Sequence, residues 1–402
     1  MLHYPCYRPG YRFRLCFPVA GQRVAGQRVA GQSATAGQWE RWSLGSMTVM
    51  EVLALYLPQY HPIPENDRWW GTGFTEWANV TKSGPLFRGH DQPHLPADLG
   101  FTDLRVPETR EAQADLARRF GVTGFCYWHY WFAGHRLLER PFDEVVDSGR
   151  PDFPFCAAWA NQTWSGIWHG APDRILIEQT YPGPEDDRAH FESLLPAFRD
   201  PRYIRVGGRP LFFVYQPASL PDPARFVESW QQMAADAGLG GLYLVAALGE
   251  SGYRSQQADG FDAGVLFRYP FTRTTTVKVR DRLVARGLMR GPKRYPYPET
   301  LADAPDWFTG KIFPGIYPNW DNTPRSGRGG VVATGSTPEL FGAHVRRGLE
   351  WVSSFPADEQ VVVVKSWNEW AEGNYLEPDQ EVGTARLEVL RSELVRAGHI
   401  AP

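Results

Sequence analysis

The feature that most constrains this chain is an alternation. From Val52 onward, short apolar runs recur, and stretches with helical spacing fall between many of them. The runs are Val52–Tyr60, Gly124–Trp131, Phe155–Asn161, Pro210–Tyr215, Tyr243–Leu248, Ala263–Tyr269, Lys311–Tyr317 and Gln360–Ser366. The helical patterns are Pro107–Phe120, Asp186–Phe198, Pro223–Ala237, Thr337–Val352 and Thr384–Ala397. Pro107 falls at a first helical position, and Thr337-Pro338-Glu339 sets a capping hydroxyl before a proline. Strands alternating with helices predict an α/β chain, a single-domain (β/α)8 TIM barrel over residues 49–402. The competing fold is a doubly wound open sheet, whose usual glycine-rich phosphate loop follows none of the runs. Residues 272–306 are basic and proline-containing, and read as an insertion after the sixth run, a lid or an interaction loop.

Residues 1–48 are unlike the rest. They repeat Ala-Gly-Gln-Arg-Val from Ala20, are rich in arginine and poor in acids, and lack an apolar period. Such a segment is expected to be disordered. It has no continuous apolar core of the kind a secretory signal carries, so an upstream-extended reading frame fits it better than a targeting peptide, with starts at Met47 or Met50.

Composition excludes several classes. The net charge is −3 and there is no basic stripe, which argues against nucleic acid as a partner. No apolar run approaches the roughly 18–20 residues that span a bilayer. Cytoplasm is therefore the expected location, and nothing in the sequence fixes an oligomeric state. Cys126 and Cys156 lie in apolar runs and read as buried thiols, while Cys6 and Cys16 complete no CxxC pair. The histidines show neither HxxH nor HxH spacing, and His90 and His94 are separated by a proline-containing loop. No metal and no cofactor is expected.

In a barrel of this kind the chemistry sits at the C-terminal strand ends. There the chain places Gln59-Tyr60, Trp128-His129-Tyr130, Asn161 with Trp164 beyond it, Tyr215, Glu250, Arg268-Tyr269, Asn319-Trp320 and Trp367-Asn368-Glu369-Trp370. Glu369 and Glu372 follow the last run three residues apart, interleaved with indoles. Two carboxyl groups flanking a bond, with aromatic faces for the rings, suit glycosidic-bond chemistry; the bland alternative is a capped strand end with solvated acids. On a strand, residues three apart point to opposite faces. Both acids can meet one sugar only if the chain turns after Glu369, with Gly373 as the exit. His129 suits a hydrogen bond to a sugar hydroxyl or a proton relay, and equally a satisfied core position. Gln59 and Asn161 suit hydroxyl recognition. Glu76 and Trp77, in Gly73-Phe74-Thr75-Glu76-Trp77, are either a second binding cluster or a turn packed by Phe74 and Trp77.

The motifs Leu57-Pro58-Gln59-Tyr60-His61-Pro62, Gly73-Phe74-Thr75-Glu76-Trp77, Tyr127-Trp128-His129-Tyr130-Trp131 and Trp367-Asn368-Glu369-Trp370-Ala371-Glu372-Gly373 resemble the WbsX-type proteins. These are bacterial polysaccharide-biosynthesis proteins related to glycoside hydrolase family 99. The resemblance spans roughly Val52 to Leu390. It implies a (β/α)8 barrel and a retaining endo-α-mannosidase-like chemistry on an oligo- or polysaccharide. One glutamate deprotonates the sugar 2-hydroxyl, which attacks the anomeric carbon to give a 1,2-anhydro sugar; the other protonates the leaving oxygen and then activates the acceptor. By spacing, Glu369 is the first and Glu372 the second, with Tyr215 and His129 assisting. The WbsX branch is named for glycosyltransferases, yet no DxD motif stands at a strand end; Asp186-Asp187, at a helix start, comes nearest. A nucleotide-sugar-dependent transferase of lipopolysaccharide O-antigen is thus the alternative. A non-catalytic glycan-binding barrel is a third reading, which predicts loss of one acid.

Overall fold

The computed structural model describes residues 50–166, 171–248, 260–267, 275–286, 290–297 and 310–402. The expectations for residues 1–48, Cys6, Cys16, Glu250, Arg268, Tyr269 and part of the 272–306 stretch lie outside these residues.

Eight parallel strands close on themselves. They are β1 (Glu51–Tyr56), β2 (Gly124–Phe132), β3 (Phe155–Trp159), β4 (Arg209–Val214), β5 (Tyr243–Ala247), β6 (Ala263–Leu266), β7 (Lys311–Ile316) and β8 (Val361–Val364). Each pairs with the next, and β8 returns to β1 with Glu51 beside Val361 and Ala54 beside Val364. Closure therefore removes both edges of the sheet. All eight expected runs form strands, mostly one to three residues shorter at the C-terminal end, where the chain leaves the ladder to build the rim.

The strands are buried on both faces, which is why they read as continuous apolar runs rather than alternating ones. Val361 to Val364 are four consecutive valines with essentially no exposure, each worth about 1.5–3 kcal/mol of burial. Around the barrel lie α1 (Pro107–Arg119), α2 (Arg140–Ser148), α3 (Pro184–Arg199), α4 (Pro223–Asp236), α5 (Thr275–Ala285), α6 (Pro338–Val352) and α7 (Ala385–Arg396). Proline opens α1, α3, α4 and α6, where its missing N–H would have no helical partner. Thr337 caps α6 by accepting from the Leu340 N–H. Phe341, Val345, Leu349 and Val352 then repeat at helical spacing on the buried face.

Three extensions shape the rim. Strand β2 runs past the barrel into a hairpin with His135–Leu137, turned by Ala133 and Gly134, both at positive φ. Trp164–Gly166 pairs antiparallel with Ala171–Ile177. The described part of the 272–306 stretch holds α5 and a strand, Lys293–Pro296, that pairs in parallel with Val331–Thr334, so this part is structured rather than loop. Cys126 and Cys156 sit side by side on β2 and β3 as buried free thiols.

Candidate active site

The last strand delivers the two acids through a tight turn. After β8 the chain passes Lys365 and Ser366, pairs Asn368 with Tyr375 and Glu369 with Asn374, and reverses through a 3-10 turn, Trp370–Glu372. Residues three apart eclipse each other in such a turn, so Glu369 at its N-cap and Glu372 at its end share one face. Gly373 leaves the turn at φ 64. A side chain here would put its Cβ 2.6 Å from the Asp321 nitrogen, so both the angle and the space require glycine.

Both carboxyls line a cleft of about 430 Å³ at the C-terminal mouth of the barrel. Among the expected residues, Gln59, Trp128, Tyr130, Trp164, Tyr215 and Trp320 line it with them. The Trp128 indole donates to Glu369 Oε1 at 2.8 Å. Trp164 meets Tyr130 edge-on, with ring centroids 4.9 Å apart. Aromatic faces with a few polar tips make the kind of wall that sugar rings pack against.

Other expected residues stand behind that wall. His129 is buried, its ring stacked on His190 and the two Nε2 atoms 2.9 Å apart. Strand geometry is the reason: side chains alternate, so Trp128 and Tyr130 reach the cleft and His129 points away. Burial, and then Arg136, hold its pKa well below the ordinary histidine range; it takes the core placement, the second of its two expected readings, and does not line the cleft. Asn161 is fully buried, with Nδ2 donating to Tyr181 and to the Gln216 carbonyl, and Oδ1 accepting from the Gln216 N–H. Tyr60 donates to the Asn368 carbonyl. Asn368 pairs with both backbone groups of Leu57, at 2.7 and 3.0 Å. Trp77 donates to the Thr102 carbonyl, and Trp367 has no exposure. Trp370 stacks on Tyr375 with centroids 3.9 Å apart and donates to Glu377. Asn319 is buried beside the rim rather than lining the cleft. None of these eight residues lines the cleft.

The short sequence motifs did not expose two cations. Lys365 follows the valine run directly and sits over Trp320, its Nζ 4.9 Å from the ring centre and 3.6 Å from Glu372. A reading of the strand end from Val364 onward would have included it. Arg325, on the short helix Thr323–Ser326, donates from Nη1 to Glu372 Oε1 at 2.6 Å and from Nε to Glu76 Oε1 at 2.9 Å. Glu76 is therefore neither a cleft carboxylate nor a turn filler, but the buried counter-ion of Arg325.

The acids are unequal. Burial and the negative charge of Glu372 push Glu369 well above the carboxylate range. Burial pushes Glu372 up as well, but Arg325 and Lys365 outweigh it and hold Glu372 below that range. The free site thus keeps one carboxyl protonated and one ionised. That order is opposite to the division implied by the resemblance, in which Glu369 is the base. Asp321 fixes the turn from outside: its N–H donates to the Glu372 carbonyl at 2.7 Å. Its carboxylate accepts from His90, Gln92 and Thr323.

A family model described as Glycosyltransferase WbsX matches residues 52–390. The chain belongs to the WbsX glycosyltransferase family. Two curated relatives, each named Uncharacterized protein WxcX and from two strains of Xanthomonas campestris pv. campestris, are 38% identical over 366 residues. The match covers 87% of this chain and 50% of the relative, so the chain spans about half the length of the curated relatives it matches. Among solved structures, the endo-alpha-mannosidase of glycoside hydrolase family 99 from Bacteroides thetaiotaomicron superposes with a TM-score of 0.52 at 14% identity. It covers 87% of this chain and 97% of that one. A structure named glycoside hydrolase-like protein gives a TM-score of 0.54 at 12% identity, covering 86% and 94%. At such identities the likeness is one of fold. Among the described residues no helix is long and apolar enough to cross a membrane.

Proposed function

We propose that this WbsX-family chain cleaves or transfers α-linked, mannose-like sugars of a bacterial surface polysaccharide, with retention and without a nucleotide sugar. The observation that carries this reading is the pair Glu369 and Glu372. They lie on one face of one turn, inside an aromatic cleft, with environments that drive their protonation apart. Glu372, ionised, takes the proton of the sugar 2-hydroxyl; O2 attacks the anomeric carbon as the glycosidic C–O bond breaks. Glu369, protonated, gives its proton to the leaving oxygen. Its carboxylate then deprotonates water or an acceptor hydroxyl, which opens the anhydro ring, and Glu372 returns its proton to O2. The ionisation order supports this assignment, which reverses the one implied by resemblance. Burial of both groups excludes bulk water and strengthens each electrostatic contact.

The family description, a glycosyltransferase, favours sugar transfer, and a nucleotide-sugar donor in O-antigen synthesis is the second reading. The adjacent acids Asp186-Asp187 are not at a strand end, and Asp186 accepts from the Trp131 indole. A glycan-binding barrel without activity has least support, because both acids are present and engaged.

Product analysis decides. The wild type, Glu369→Gln and Glu372→Gln are incubated with α-mannan and O-antigen oligosaccharides, with and without nucleotide sugars, and with an α-mannosyl fluoride. Turnover without nucleotide sugar, lost on oligosaccharides in both variants, is expected. Fluoride leaves without protonation, so Glu369→Gln should keep the fluoride-releasing first step, seen as a burst, while the base-assisted opening of the anhydro ring slows, and Glu372→Gln should lose the release itself. The opposite pattern on fluoride would restore the implied assignment. Activity only with a nucleotide sugar, or surviving both substitutions, would sink the paired-glutamate reading.

A further inference from the structure

Arg325 joins three rim loops. Glu76 comes from the loop after β1, Arg325 from the loop after β7, and Glu372 from the turn after β8. The guanidinium spans both carboxylates, with Nε on Glu76 Oε1 at 2.9 Å and Nη1 on Glu372 Oε1 at 2.6 Å. Glu76 has no exposure at all, and its second oxygen has no hydrogen-bond partner. A buried carboxylate committed to one cation is costly unless that cation is held in place for it. Glu76 does not line the cleft, whereas Arg325 and Glu372 do. The arrangement is a planar fork aimed at two acids, a task that guanidinium geometry serves and an ammonium does not.

We propose that Arg325, anchored by Glu76, is the positioning residue that fixes Glu372 as the ionised member of the glutamate pair and so leaves the proton on Glu369. Several charged or titratable groups bear on Glu372. Glu369 and Lys365 come from its own strand end, Arg325 and Tyr317 from the β7 side, Tyr130 from β2, and Tyr215 from the end of β4 by way of Lys365. Of these, the cations are Arg325 and Lys365. Lys365 stands 3.6 Å from Glu372 and 4.9 Å over the Trp320 ring centre, while Arg325 makes the direct bond at 2.6 Å. Removing Arg325 leaves Glu372 with Lys365 alone, at 3.6 Å, and narrows the difference that assigns the one proton to Glu369. The proposal rests on the paired-glutamate reading for its purpose, but its observable is protonation and not turnover.

The experiment is carbodiimide labelling of the full-length protein across pH, with peptide mapping of Glu369 and Glu372, since this reagent modifies protonated carboxyls. Because Arg325→Gln alone would leave Glu76 buried and unpaired, the paired variant Glu76→Gln/Arg325→Gln is used beside it. In the wild type, Glu369 is labelled through neutral pH and Glu372 is not. In the paired variant the Glu372 midpoint should rise by about one to three pH units and the Glu369 midpoint should fall. Arg325→Lys, which cannot hold both acids, should give an intermediate shift. A folded paired variant with both midpoints unchanged would overturn the proposal, as would a wild type in which Glu372 takes the label first. If the wild type labels as expected yet no glycoside turns over, the functional reading fails and this inference stands.

Discussion

Gly373→Ala tests whether the turn that carries Glu369 and Glu372 is as tightly fixed as its contacts require. Two effects act at this position. Holding alanine at φ 64 costs about 1–2 kcal/mol, offset by about 0.4–1 kcal/mol because alanine also restricts the unfolded chain. The new Cβ also meets the Asp321 nitrogen at 2.6 Å and its Cβ at 2.9 Å. Asp321 cannot withdraw without giving up the 2.7 Å bond from its N–H to the Glu372 carbonyl, and orphaning a buried pair costs about 1–3 kcal/mol. Together these give about 1–5 kcal/mol. For a barrel of about 350 residues, an unfolding entropy near 2.1 cal/mol/K per residue makes this a fall in Tm of about 1–6 °C. Gly149→Ala is the control. Gly149 ends α2 at φ 70 with nothing within 4 Å of an added Cβ, so it carries the backbone effect alone and should lower Tm by about 2 °C or less. Thermal melting followed by circular dichroism reads both. Turnover of Gly373→Ala should also fall about a hundredfold, since a displaced turn misplaces both acids. A Gly373→Ala protein that melts no lower than Gly149→Ala would refute the reasoning, because the Asp321 contact would then be yielding.

Three further outcomes follow from the site. The rate should follow a bell against pH: its acidic limb lies below the usual carboxylate range because Glu372 is held ionised, and its alkaline limb lies above that range because activity is lost as Glu369 deprotonates. A single sigmoid near the usual carboxylate range would contradict this. His129→Leu should lower stability by about 1–3 kcal/mol, since His190 loses its partner, while kcat of the folded protein stays within about twofold; a large loss of kcat at unchanged Tm would return His129 to the cleft. Burial raises the Glu377 pKa to about 7, although Trp370 and Gln113 donate to it. A raised folded-state value gives stability that is full below the unfolded pKa and is lost as pH rises through the folded one. The Tm of the wild type should therefore fall relative to Glu377→Gln between about pH 4.5 and 7, and parallel Tm curves would exclude this role.

The fold was legible because it depends on period. Eight apolar runs, proline helix starts and the Thr337 cap are local signals, and each matched an element of the barrel. Part of the site was legible for the same reason. Reading the strand ends found Glu369, Glu372, Trp128, Tyr130 and Tyr215, and the three-residue spacing demanded the turn that Trp370–Glu372 makes. Strand ends alone could not say which side of the wall a residue faces. Tyr60, His129, Asn161 and Trp370 share the composition of cleft residues, but the strand pleat and the turn aim them into the protein, where backbone groups and neighbouring rings take up their polar atoms.

What the sequence determined by itself was therefore the barrel, the rim and the two acids on one turn, because these follow from the spacing of neighbours along the chain. The tertiary structure decided the charge pattern. Glu76, Arg325 and Glu372 are separated by 249 and 47 positions, and no local period links them. Only closure of the barrel brings their three loops together. Electrostatic energy depends on distance and burial rather than on order along the chain, so the proton of the pair is assigned by the fold.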